Sequence, residues 1–104
     1  GAEDFRRVSG RGARQRLALL DFQWLSNDVG HPRLGLVVPK FRSTVVARNR
    51  LRRRVREMVR RAVLPRLMPV DLVIRARPEA YHGTVGQLAK DIDRWLETRA
   101  PQRG

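Results

Sequence analysis

The sequence predicts an α+β fold: a two-layer sandwich in which helices pack on one face of a small, mostly antiparallel sheet. Some segments alternate apolar and polar residues, as strands do, whereas others carry an apolar stripe at helical spacing. Turn-forming residues separate these segments. With 104 residues, we expect a single domain over residues 1–104, because a chain of this length buries one modest core.

The predicted order is helix, strand, strand, helix, strand, helix. The segments are a helix over residues 2–9, strands over 15–26 and 33–39, the main helix over 44–63, a strand over 70–77 and a last helix after residue 84, with a further short strand near 11–15 left open. The turn-rich loop 27–32 predicts that the two strands beside it form a hairpin. Thr84 and Gln87 have the spacing of a capping box. The tail from Ala100 is expected to fray.

The charge balance points to a polyanionic partner. Twenty-three Lys and Arg residues stand against ten Asp and Glu residues, a net charge of +13. A compact domain with that excess repels itself, and a nucleic acid relieves the repulsion. Apolar residues make up 41% of the chain, which excludes a disordered basic tail. The absence of cysteine excludes disulfides and thiolate metal sites, and we expect a cytoplasmic protein.

The main predicted helix carries much of this charge. Its arginines are Arg48, Arg50, Arg52, Arg53, Arg54, Arg56, Arg60 and Arg61. The arginine ridge, defined as Arg48, Arg52, Arg56 and Arg60, repeats every four residues and therefore runs along one side of the helix. Like charges at this spacing destabilise a helix, so the ridge predicts contact with phosphates, which also releases counterions. The alternative is a helix face exposed to solvent, although such faces normally carry both positive and negative residues. Glu57 lies four residues from both Arg53 and Arg61 and is placed to form ion pairs with them.

The kind of polyanion is a separate question. An arginine helix can enter the major groove of DNA. A helix that packs one side on a sheet instead suits a shaped RNA surface, contacted through phosphates and sugars. A membrane-binding amphipathic helix is the weakest alternative, because the sheet needs its apolar stripe.

The segment from residue 47 to residue 57 resembles the signature of the bacterial ribonuclease P protein subunit, R-N-R-x-K/R-R-x-x-R-E. The pattern is matched by Arg48, Asn49, Arg50, Arg52, Arg53, Arg56 and Glu57. Residues 34–40 and 71–78 are similar to the family's strands on either side of this helix, and residues 3–12 to its first helix and glycine turn. Ser9 and Phe41 depart from the pattern, where the family often has an aromatic residue and a second lysine.

The resemblance implies a protein subunit of ribonuclease P, which removes the 5′ leader of precursor tRNA by metal-assisted hydrolysis. The obligate partner is then the catalytic ribonuclease P RNA, which with Mg2+ performs the chemistry, so the protein has no catalytic residue or metal site. The RNA-binding residues are expected to be Lys40, Arg42, Arg48, Asn49, Arg50, Arg52, Arg53, Arg56 and Arg60. A left-handed βαβ crossover is also implied, against the usual right-handed preference. The alternative function is a ribosomal or general structured-RNA-binding protein without an enzymatic role.

Three aromatic residues are candidates for a cleft that binds the single-stranded leader. They are Phe5, Phe22 and Trp24. The resemblance to the ribonuclease P protein subunit implies that the open sheet face and the first helix form this cleft. Aromatic rings can stack bases there. The alternative is ordinary core packing. The lone histidines His31 and His82 have neither metal-site nor triad spacing. No small-molecule substrate or membrane partner is expected.

Overall fold

The computed structural model describes the backbone of residues 2–104 and the side chains of residues 6–104. The main elements are, in chain order, α1 (Ala2–Arg11), β1 (Ala13–Arg16), β2 (Leu20–Ser26), β3 (Arg33–Val37), α2 (Val45–Ala62), β4 (Val70–Ala76) and α3 (Val85–Thr98). The sheet order is β1-β2-β4-β3, with two antiparallel pairs and one parallel pair, β3 with β4. This confirms the predicted α+β class and its mostly antiparallel sheet.

The strand order corrects the predicted hairpin. β4 lies between β2 and β3, so that Leu72 is opposite Trp24 on one side and Leu34 on the other. Every β4 residue except Arg75 is buried, as suits a central strand with a neighbour on each side. The hairpin is instead β1 with β2. β1 occupies most of the short strand left open near residues 11–15, and a turn in which the Leu17 N–H donates to the Leu20 carbonyl interrupts the segment 15–26 predicted as one strand.

The parallel pair explains why α2 lies between β3 and β4 in the chain. Parallel neighbours need a long crossover, usually a helix, and α2 with the 3-10 turn Leu64–Arg66 provides it. The predicted βαβ unit is therefore present; its left-handed sense stays a prediction.

α2 and α3 share one face of the sheet with the main core. Leu51, Val55 and Val59 are the buried residues of α2, spaced for one side of a helix. On the sheet, Phe22 stacks on Trp95 of α3 with ring centroids 5.0 Å apart, and Trp24 meets the same ring edge-on. Phe22 is fully buried and Trp24 is 8% exposed. The prediction that these two rings line an open leader cleft is therefore wrong, because the strand turns them toward the helices.

α1 contacts the opposite face. Ser9 donates a hydrogen bond to Gln23, which alternates with the core-facing Phe22 and Trp24. The chain then turns closely at Gly12, where an added Cβ would lie 2.6 Å from the backbone oxygens of Val8 and Trp24. This side of the sheet is otherwise free of helices in the part of the chain that is described.

The C-terminal tail is ordered, contrary to the prediction of fraying. The Met68 N–H donates to the Pro101 carbonyl, the Arg103 N–H donates to the Arg66 carbonyl, and Gln102 pairs with Leu67. The tail thus adds a short backbone ladder to the segment that follows α2.

Candidate nucleic-acid interface

The cationic helix α2 is well formed at both ends. The Thr44 side chain caps its start by accepting a hydrogen bond from the Ala47 N–H at 3.0 Å. Arg60 and Arg61 occupy the last turn, where positive charge suits the helix dipole. Its 18 residues give a rigid rod of roughly 27 Å.

The arginine ridge lies along the boundary between the packed and the exposed sides of α2. Arg48 is half-buried, and its Nε donates a hydrogen bond of 2.7 Å to the Val38 carbonyl. Arg52 and Arg56 are also half-buried, whereas Arg60 is exposed. Because the four-residue repeat drifts around the helix, the ridge emerges from the packed side as it approaches the C-terminal end.

The ridge forms one wall of a cavity of about 460 Å³ beside β3, which we call the edge groove. Arg52, Arg56 and Arg60 lie on one side, and residues 34–37 of the outermost strand β3 lie on the other. The Nε of Arg52 is buried and has no hydrogen-bond partner among the described residues. A buried donor without an acceptor is costly, and this guanidinium is not held at that atom by a hydrogen bond from a described residue.

Carboxylates of residues 6–104 do not neutralise the α2 guanidinium groups. Among the described side chains, the ion pairs are Arg14 with Asp21, Arg33 with Asp71, and Arg77 with Glu79, and none of them involves α2. Glu57 does not pair with Arg53 or Arg61 as predicted; its side chain is exposed. The charge of the helix is therefore available to a partner.

The other predicted RNA-binding residues cluster around the same helix. Lys40 and Arg42 are exposed in the turn before α2, and Asn49, Arg50 and Arg53 are exposed on its outer side. The side chain of Phe5 lies outside the described residues. The structure thus gathers the basic residues on α2 and the turn before it, but separates them from Phe22 and Trp24.

A second basic surface was missed from the sequence. We call it the open-face recess; it lies at the ends of β1 and β4 and is lined by Arg14, Arg16, Asp21, Phe41, Arg75, Ala76, Arg77 and Pro78. The hydrogen bond from Arg14 to Asp21, with their mutual attraction, raises the pKa of the Arg14 guanidinium above its ordinary value. The available signal was Arg14 and Arg16 at alternate positions of β1, together with Arg75 of β4 and Arg77 two residues later, because alternate residues share a face.

No metal or membrane feature accompanies these surfaces. Within residues 6–104, His, Asp and Glu side chains do not gather in groups of three that could hold a metal ion. Among the described helices, none has the length and apolar character needed to cross a membrane.

The fold and these surfaces define a basic α+β protein of the polyanion-binding class. The chain belongs to the ribonuclease P protein family, since the family model described as Ribonuclease P matches residues 1–99.

Individual relatives agree with this assignment. The chain is 41% identical over 80 residues to the ribonuclease P protein component of Syntrophobacter fumaroxidans, covering 76% of this chain and 67% of that protein. It is 38% identical over 98 residues to that of Thermus scotoductus, covering 93% of this chain but 56% of the relative. The ribonuclease P protein structure from Staphylococcus aureus superimposes with a TM-score of 0.83 at 24% identity, over 93% of this chain and 89% of that one. This likeness shows the shared fold.

Proposed function

We propose that this chain acts as the protein subunit of ribonuclease P. In this role it binds the catalytic RNA and the 5′ leader of precursor tRNA, and assists endonucleolytic removal of the leader. The observation that carries the proposal is the arginine ridge in a member of this family: three of its arginines line the edge groove, and no described carboxylate pairs with the ridge.

We assign the docking of the catalytic RNA to α2 and the turn before it. Arg52, Arg56 and Arg60 meet phosphates along the edge groove that they line. Bidentate guanidinium–phosphate contacts are strong and directional. RNA is favoured over DNA because the sheet and β3 flank α2 closely, which suits a shaped, shallow surface better than a deep major groove.

We place the leader on the open side of the sheet, with the side chains of the open-face recess in place of Phe22 and Trp24. Arg16 and Arg75 point to this side without a carboxylate partner among the described side chains. Single strands bind in such basic grooves chiefly through their backbone. A position opposite α2 would let the protein hold two RNA elements on two different faces.

The cleavage chemistry belongs, in this proposal, to the RNA and its Mg2+ ions. The described residues do not form a cluster suited to Mg2+. The protein contributes positive charge that lowers the repulsion between two polyanions and lengthens the contact with the substrate.

The test is processing of precursor tRNA by a bacterial ribonuclease P RNA at low Mg2+, with and without the protein. We expect the protein to restore 5′ cleavage, and the variant R52A/R56A/R60A to lose most of this effect. The control variant R66A/K90A/R94A removes the same charge from exposed positions outside α2 and outside the edge groove and should retain the effect. RNA binding with no gain in processing would support a general RNA-binding protein instead.

A further inference from the structure

Phe41 has an unusual backbone and an unusual exposure. Its φ angle is +50°, the one positive value at a non-glycine position among the described residues. Its side chain is 47% exposed. A bulky residue in the left-handed region is strained. Such strained conformations persist only when surrounding contacts fix the backbone, and they cluster at active sites and ligand-binding sites.

The surroundings of Phe41 fix the ring in place. The Ser43 N–H donates to the Lys40 carbonyl at 2.9 Å, which closes a turn with Phe41 at its first corner. The ring meets Tyr81 edge-to-face at a centroid distance of 6.2 Å, and the Tyr81 hydroxyl donates to the Pro39 carbonyl. A perpendicular contact leaves at least one face of the Phe41 ring uncovered by Tyr81.

Two recesses meet at this ring. One is a cavity of about 480 Å³ lined by Phe41, Arg42, Ser43, Pro78, Tyr81 and His82. The other is the open-face recess, which shares Phe41 and Pro78 with it. Their charged side chains are mainly basic, and the Asp21 carboxylate is paired with Arg14. The ring is therefore an apolar surface inside a positively charged rim.

We propose that Phe41 is a stacking platform for one unpaired nucleobase of the bound RNA, with Arg42 beside it to take an adjoining phosphate. This rests on the proposed function for the presence of RNA. An apolar protein partner would have to desolvate the surrounding guanidinium groups, whereas a nucleotide offers a flat ring to Phe41 and an anion to the rim. The base comes from the leader or from the catalytic RNA; the chemistry of recognition is the same.

The experiment compares Phe41→Leu, which keeps apolar bulk but removes the aromatic face, with Phe41→Trp, which enlarges that face. Binding is measured to ribonuclease P RNA alone, and by the holoenzyme to precursor tRNA and to mature tRNA. We expect Phe41→Leu to weaken RNA binding about 5- to 100-fold relative to the wild type. Phe41→Trp should bind RNA as tightly as the wild type. The salt dependence should stay unchanged, since no charge is removed. Val29→Ala, at a 43% exposed valine in the loop that follows β2, is the matched control and should bind normally.

The results distinguish the leader from the catalytic RNA as the source of the base, and the stacking platform from other roles of Phe41. A loss confined to precursor tRNA identifies the leader as the source of the base, and a loss with ribonuclease P RNA alone identifies the catalytic RNA. Normal binding of Phe41→Leu overturns the platform, and leaves the proposed function intact if R52A/R56A/R60A still binds weakly. A wild-type dimer in sedimentation that Phe41→Leu converts to a monomer would overturn it in favour of a second copy of the chain.

Discussion

Neutralising the exposed part of the arginine ridge should change how strongly salt weakens RNA binding. Arg48 is engaged with the Val38 carbonyl, which leaves Arg52, Arg56 and Arg60 along the edge groove. Each phosphate contact contributes about 0.7–0.9 to the slope of log K against log salt concentration. The variant R52A/R56A/R60A should therefore lower the slope by about 2–3.

This difference in slope determines how much more affinity the wild type loses than the variant when the salt concentration rises. Raising salt from about 50 to 200 mM should weaken the wild-type complex about 20- to 40-fold more than the complex of this variant. The assay is a filter-binding or fluorescence titration against ribonuclease P RNA at several salt concentrations. R66A/K90A/R94A, with the same loss of charge, tests whether net charge alone produces the effect.

Two results would refute the reasoning. An unchanged slope in R52A/R56A/R60A means that this side of α2 does not meet phosphates. An equal fall in both triple variants means that the RNA senses net charge and that the edge groove has no special part. A normal urea unfolding curve for each variant is required first, because Arg52 and Arg56 also cover apolar surface with their half-buried stems.

Three further predictions test the fold that positions this surface. Gly12→Ala should destabilise the protein by about 1–3 kcal/mol in urea unfolding, because the new Cβ meets backbone oxygens; Gly10→Ala, with open space around it, should not destabilise. Asp91→Ala should cost about 3 kcal/mol, seen as a lower Tm, because the buried carboxylate accepts from two backbone N–H groups; Asp93→Ala on the exposed side should be nearly neutral. Deleting residues 101–104 should speed hydrogen exchange at the Met68 amide, whose acceptor is the Pro101 carbonyl; unchanged exchange there would contradict the observed tail.

The local elements could be predicted from the sequence because their determinants are local. The capping box of Thr84 and Gln87 is present with both hydrogen bonds, and α2 begins directly after the Thr44 cap. The alternation of apolar residues in β4 also appears as predicted, with Leu72, Ile74 and Ala76 buried. Such signals depend on residues three or four apart on a helix, or two apart on a strand.

The strand order and the direction of the aromatic rings depend on distant contacts. Alternation shows that Phe22 and Trp24 share a face, but it does not show which face the helices cover. Trp95, more than 70 residues later, decides that by stacking on Phe22. The loop 27–32 resembles a hairpin loop by composition, yet β4 takes the place beside β2 that a hairpin would give to β3. Asp91 similarly accepts hydrogen bonds from Leu19 and Leu20 across the chain.

The distribution of charge argues for two RNA contacts rather than one. If α2 were the whole interface, Arg16 and Arg75 on the other side of the sheet, which pair with no carboxylate of residues 6–104, would add repulsion without compensation. The turn 40–43 joins the two surfaces, since it leads into α2 and carries Phe41, which lines the open-face recess. A polyanion on each side of the protein would reduce the repulsion among the arginines on that side. The positive charge of the protein would in turn reduce the repulsion between the two polyanions. Under the proposed function, this small protein lies between two RNA strands that would otherwise repel one another.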